Sequence, residues 1–226
     1  MRCTVHAGVV LTAMTASVAH ADITNFRSWL DANPSTPNST SNAWYGTRGV
    51  NGAMMNSNGS YWDSPGFPAS TPLIALRTSV GSDNGAAGPA TFAGSWVHPG
   101  SGIDAVLTFA PSVPTLLGRV SVRSELIANG LSGNGVTISV YTTIAGNTTA
   151  HGSVLLAGTS LSRLDDFDFP LTTLQPGDRV HIAFGDNGSY LFDHVNFDAT
   201  VTIPAPGVAG MAGIAVIALA RRRTRR

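Results

Sequence analysis

The chain has 226 residues, 43% of them hydrophobic and 12% charged, and its thirteen basic and thirteen acidic residues cancel. The cancellation is uneven: residues 22–203 hold all thirteen acids against seven arginines, a net charge of −6, and the other six arginines lie in the two ends. Such an acidic body repels phosphate backbones, which argues against nucleic-acid binding, and because the one cysteine is Cys3 the body has no disulfide, thiolate zinc site or cysteine nucleophile.

At the N-terminus Arg2 precedes an apolar stretch, Ala7 to Ala19, and Ala19-His20-Ala21 forms an A-x-A cleavage pattern. We expect residues 1–21 to be a secretory signal peptide, with the mature chain beginning at Asp22. In the next stretch Ile23, Phe26, Trp29 and Leu30 share one side of a helical turn or two. The run from Asn33 to Asn42, rich in Pro, Ser, Thr and Asn, breaks helix and strand alike. Residues 22–43 therefore read as an N-terminal segment and loop ahead of the main domain, residues 44–202.

That domain opens on two aromatic pairs, Trp44-Tyr45 and Tyr61-Trp62, separated by a Gly- and Asn-rich segment. Beyond Gly94 the pattern becomes one of short strands and turns. Val120, Val122, Ser124 and Leu126 alternate with Arg119, Ser121, Arg123 and Glu125; Val136, Ile138 and Val140 alternate with Thr137, Ser139 and Tyr141. Phe167, Phe169 and Leu171 alternate with aspartates before Pro170 ends the ladder; Val180, Ile182 and Phe184 follow a Pro-Gly-Asp turn, and Val195, Phe197, Ala199 and Val201 form the last set. A period of two with β-branched and aromatic residues on one phase specifies half-buried strands. Further strands near Leu73 to Thr78, Trp96, Val106 to Phe109 and Val154 to Leu156 bring the count to eight or nine. The fold class is all-β, a two-sheet antiparallel β-sandwich of the jelly-roll kind.

The order Trp96-Val97-His98-Pro99-Gly100, Gly133-Asn134-Gly135-Val136, Pro176-Gly177-Asp178-Arg179-Val180 and Asp186-Asn187-Gly188-Ser189-Tyr190-Leu191-Phe192-Asp193 is similar to galactose-binding-like jelly rolls. The resemblance implies a secreted domain of the kind found beside carbohydrate-active enzymes.

The last residues, 203–226, have a separate logic. Pro204-Ala205-Pro206 bars a helix from starting earlier, residues 207–220 carry no charge, and Arg221, Arg222, Arg223, Arg225 and Arg226 close the chain. Fourteen helical residues reach about 21 Å, short of a hydrocarbon core of about 30 Å, so this short transmembrane helix suits a transient signal better than a permanent anchor. A buried or interfacial helix is the alternative. Proline pair, apolar helix and arginine cluster together resemble the PEP-CTERM sorting tail, with Ala205 where that family usually has glutamate. The resemblance implies cleavage near Pro204 to Pro206 by an exosortase, transient contact with the inner membrane, and delivery to the outer surface or extracellular matrix.

Candidate chemistry is sparse. Trp44, Tyr45, Tyr61 and Trp62 are either flat platforms for sugar rings or core plugs, and on a strand only one of each pair can face a ligand. Asp186, Asn187 and Asp193 offer oxygen ligands for an irregular calcium site, but Asp-Asn-Gly is first a turn former, so no cofactor is required and calcium is the alternative. His181 and His194 fall on the outward phase of their strands and read as solvated, while His98 before Pro99 sits at a turn. No G-x-S-x-G elbow or H-E-x-x-H motif is present. The sequence thus reads as a non-catalytic, exosortase-processed surface or matrix protein associated with exopolysaccharide. A carbohydrate-binding module is the alternative, and an envelope hydrolase acting through His98 is a second.

Overall fold

The computed structural model describes residues 22–34, 37–57, 59–63, 71–77, 90–126, 134–157, 162–189 and 194–203. The expected signal cleavage site at Ala19 and Ala21, the sorting tail with Pro204, Ala205, Pro206, Arg221, Arg222 and Arg223, and Asp193 lie outside the described residues.

The first half carries β1 (Asp22–Asn25), α1 (Phe26–Ala32), β2 (Trp44–Arg48), β3 (Asn56–Ser57), β4 (Tyr61–Asp63) and β5 (Leu73–Ala75). The second half carries β6 (Ser95–His98), β7 (Ala105–Phe109), β8 (Thr115–Leu126), β9 (Val136–Ile144), β10 (Asn147–Leu156), β11 (Arg163–Leu174), β12 (Arg179–Gly185) and β13 (Val195–Ile203).

The second half is one long hairpin rolled up. At its tip Ala145 and Gly146 join β9 to β10 with φ of 50° and 83°, the pair of positive values that a two-residue type I′ turn requires. Outward from that turn β8 pairs with β11, β7 with β12 and β6 with β13, each antiparallel and each enclosing the pair before it. Successive pairs go to opposite sheets, and β9–β12 and β8–β13 contacts join them sideways. Sheet one has the order β11-β8-β13-β6-β5-β4-β3, with β1 also on β13; sheet two has the order β10-β9-β12-β7-β2. Nested pairs that alternate between two sheets define a jelly roll.

The inward phases meet as expected. Val120, Val122, Val136, Ile138, Val140, Val180, Ile182, Phe184, Phe197, Ala199 and Val201 are all 0% exposed and belong to one apolar cluster. Phe26, from α1, bridges the two sheets: its ring lies 5.5 Å from that of Trp44 on sheet two and 5.8 and 5.9 Å from those of Trp62 and Phe197 on sheet one. Asn25 caps the helix by accepting from the Ser28 amide at 2.8 Å. Gly46 is small for a reason of packing, since a Cβ there would stand 2.9 Å from the Trp62 ring.

Three features depart from the sequence reading. The described residues form thirteen strands, not eight or nine, because the short strands β1 to β4 draw their order from neighbours and not from their own patterns. Residues 22–33 belong to the sandwich instead of preceding it: β1 pairs with β13, and Phe26 and Leu30 are buried. Pro170 does not end β11. The ladder shifts register between Asp168 and Thr172 and then resumes, which leaves Leu171 62% exposed. A bulge on an edge strand accommodates a residue with no amide donor.

Asp178 ties the hairpin tip to β12. Its carboxylate accepts from the Ala145 amide at 2.9 Å and from the Gln175 amide at 2.7 Å. Alanine is a poor occupant of a left-handed position, so Ala145→Asn should raise the unfolding free energy by up to about 1 kcal/mol in urea titration. Asp178→Ala should lower it by about 1–3 kcal/mol, because two partly buried amides lose their acceptor.

Candidate functional site

Alternation along the strands of sheet two decides what its outer face presents. Trp44, Phe109 and Val180 stand in register and face the core; one step along, Tyr45, Thr108, His181 and Tyr141 stand in register and face away from it. Thr47 on β2, with Arg179 on β12 and Thr143 on β9, lies on the same outer face.

That face is partly roofed. After β2 the chain turns through Gly49, Asn51 and Gly52, with the Gly52 amide donating to Gly49 O at 3.1 Å, and returns so that Met54 bridges to Thr47. Asn51 takes a φ of 57° and its Nδ2 donates to Thr143 Oγ1 at 3.1 Å and to Thr148 Oγ1 at 2.8 Å. Those hydroxyls belong to β9 and β10, at the opposite side of sheet two from β2. The loop therefore arches over the sheet. Beneath it lies a cleft of about 240 Å³ lined by Thr40, Tyr45, Thr47, Asn51, Gly52, Met54, Arg179 and His181.

The polar groups of the cleft are interlocked. His181 is 1% exposed and its ring is held from both ends, Nδ1 on Thr108 Oγ1 and Nε2 on Thr143 Oγ1, each at 3.0 Å. Burial, with a smaller push from the Arg179 charge, lowers the imidazole to about 4, so it is neutral at physiological pH. Arg179 Nε donates to Tyr45 Oη at 2.6 Å. Burial raises the Tyr45 phenol, and Arg179 opposes that rise, so the phenol keeps its proton at neutral pH and retains an O–H to donate.

The aromatic candidates divide along the strand. Trp44 and Trp62 are 0% exposed with their indole nitrogens buried and without a hydrogen-bond partner, so neither presents a face to a sugar; both are core residues. Tyr45 and Tyr61 point the other way: Tyr45 lies on the cleft floor and Tyr61 is 38% exposed on β4 of sheet one, away from the cleft.

Asp186 closes a turn, its carboxylate accepting from the Gly102 amide at 2.9 Å and the Gly188 amide at 3.1 Å. Asn187, with φ of 46°, donates to Asn134 O at 3.0 Å and accepts on its own carbonyl from Asn134. Among the described residues no group of three or more His, Cys, Asp or Glu is placed to hold a metal ion. Asp166 and Asp168 are paired with Arg119 on the outer face of sheet one.

The expectation of solvated histidines fails for both residues. His181 lies under the arch, and His194 packs its ring 5.0 Å from that of Trp96 and 4.7 Å from that of His98, burial lowering its pKa. Arg179, His181, Asn51 and the threonines went unnoticed in the sequence as site residues. The outward phase of Arg179-Val180-His181 was visible; the loop that covers it was not.

Trp44→Ala or Trp62→Ala should cost about 3–5 kcal/mol of stability by leaving a cavity between the sheets, seen as an earlier urea midpoint. His181 binds its proton less readily folded than unfolded, so stability should fall as pH drops from about 6.5 towards about 4, by a total on the order of 3 kcal/mol for this residue. His151 and His194, both lowered by burial, add in the same direction. In His181→Gln the amide can still bridge two hydroxyls, and the acid loss should be correspondingly shallower in urea titrations at stepped pH.

No family model and no curated protein sequence matches the chain. Solved structures give distant likenesses: an arabinose-bound GH51 α-L-arabinofuranosidase at 16% identity, covering 75% of this chain and 24% of that one, with a TM-score of 0.42. The xylan-binding module CBM15 aligns at 12% identity over 75% of this chain and 96% of that one, with a TM-score of 0.39. TmCBM61, in complex with β-1,4-galactotriose, aligns at 11% identity over 77% and 89%, with a TM-score of 0.34. The chain spans about a quarter of the length of the arabinofuranosidase.

Proposed function

We propose that this protein is a secreted, non-catalytic, carbohydrate-binding β-sandwich, released at the cell envelope or matrix by exosortase-type processing of its tail, and that it holds polysaccharide in the cleft over sheet two. The observation that supports the binding role most directly is the chemistry of that cleft. Each sugar hydroxyl both donates and accepts, and the cleft offers groups of both kinds: the hydroxyls of Thr40, Thr47 and Tyr45, the amide of Asn51 and the guanidinium of Arg179. Met54 adds an apolar surface for the C–H side of a ring. Its volume, below the roughly 300–1,000 Å³ of drug-sized pockets, suits one ring or a chain end.

The delivery half of the proposal rests on the sequence of the two ends, Ala19-His20-Ala21 and Pro204-Ala205-Pro206 with the arginine cluster. The proposal requires no calcium, and the Asp186 carboxylate serves as a turn former that accepts from two backbone amides.

Two measurements test the proposal. The intact mass of the protein recovered from the cell surface should correspond to a chain that starts at Asp22 and ends near Pro204 to Pro206; recovery of the uncut tail would refute the processing. In affinity electrophoresis through matrix polysaccharide of the producing cells, residues 22–203 should be retarded equally with and without chelator. Asn51→Ala, which releases the arch, should weaken retardation at least about fivefold. Unchanged retardation would move the site away from the cleft.

A further inference from the structure

The cleft holds a positive charge that no carboxylate of the described residues matches. Of the seven arginines between 22 and 203, Arg27, Arg77, Arg119 and Arg163 form ion pairs with aspartates. Arg123 lies over the Phe92 ring at 4.2 Å, and Arg48 keeps its Nε buried without a partner. Arg179 alone among them lines the cleft, where its Nε donates to Tyr45 Oη at 2.6 Å and its Nη1 to Gly177 O at 3.0 Å.

A guanidinium has five N–H donors in one plane, so these two bonds leave the Nη2 amino group and one further N–H for another acceptor. The Tyr45 oxygen accepts from Arg179 and therefore has its own hydrogen to give. Two neighbouring donors, one of them cationic, are poorly satisfied by an uncharged hydroxyl and well satisfied by a planar carboxylate, which accepts from both and cancels the charge. The body as a whole opposes a polyanion, because its net charge of −6 repels a chain acidic at every unit.

Resting on the glycan reading above, we infer that the cleft selects a sugar acid: the carboxylate of an isolated uronic acid residue, set in an otherwise neutral polysaccharide, is received by the Arg179 guanidinium and the Tyr45 hydroxyl. The rest of the cleft, with Thr47 and Asn51, then serves the ring hydroxyls beside it.

The test compares two forms of one probe, the matrix polysaccharide of the producing cells before and after carbodiimide-borohydride reduction of its carboxyl groups. The purified full chain should bind the native form at least about tenfold more tightly than the reduced one, a difference of the size expected for one charge-assisted contact. Free glucuronate should displace it and glucose should not. Arg179→Gln should bring the two forms within about twofold of each other, and Arg179→Lys, which keeps the charge without the planar fork, should fall between. Equal binding of both forms by the wild-type chain overturns the acid selectivity and leaves the glycan reading standing. Binding of neither form overturns both. A tenfold preference that survives in Arg179→Gln overturns the assignment to this residue. The wild-type comparison needs no variant to fold.

Discussion

The structure depends on one local event, the two-residue turn at Ala145 and Gly146. The turn places Ile144 opposite Asn147 and fixes the β9–β10 pairing as far as the bulge between Ala150 and Gly152, and the outer pairs nest around that hairpin. Nested closure keeps each added loop short in effect, since the strands to be joined are already near one another and further closure costs only a slowly growing entropy. Because successive pairs go to opposite sheets, the apolar phases of β8, β9, β12 and β13 face one another, and a single core results. Asp178, just before β12, accepts from the Ala145 amide at the tip and from the Gln175 amide in the turn after β11, which couples the hairpin to the third pair of the roll.

The first half of the chain completes this core and does not build its own. Phe26 and Leu30 on a two-turn helix reach between the sheets, and β2 to β5 add edges whose large residues, Trp44, Trp62 and Ile74, are wholly buried. Two indole N–H groups left without partners add an unfavourable term, which identifies these tryptophans as volume for the core. An aromatic residue of a β-sandwich is therefore not a ligand platform until its phase on the strand is known.

The same alternation that fills the core makes the cleft. With Trp44 inward, Tyr45 must turn outward, and with Val180 and Ile182 inward, Arg179 and His181 must share its face. The loop through Asn51 then converts an open sheet face into a partly enclosed one. Under it a histidine is dry enough to stay neutral, held between two threonines, and an arginine stands at the cleft wall. The rigid part of the site comes from strands and its cover from a loop.

The strand phases were legible in the sequence, because a period of two with valine, isoleucine and phenylalanine on one side is a local property of each segment; Val136, Ile138 and Val140, or Val195, Phe197, Ala199 and Val201, need no partner to be recognised. The class of fold followed from their number and spacing, and so did the rule that one member of each aromatic pair would face away from the core. Short strands such as Asn56–Ser57 and Tyr61–Asp63 were not legible as a set, since two or three residues carry no period and acquire their geometry from the neighbour they pair with. Nor was the continuation of β11 past Pro170, which an edge position tolerates. The sequence alone determined an acidic, disulfide-free β-sandwich with distinctive ends. Only the tertiary structure decided which aromatics are buried, that Asn51 crosses sheet two to reach Thr143 and Thr148, and that Arg179, Tyr45 and His181 share one cleft, because each of those facts depends on contacts between residues far apart in the chain.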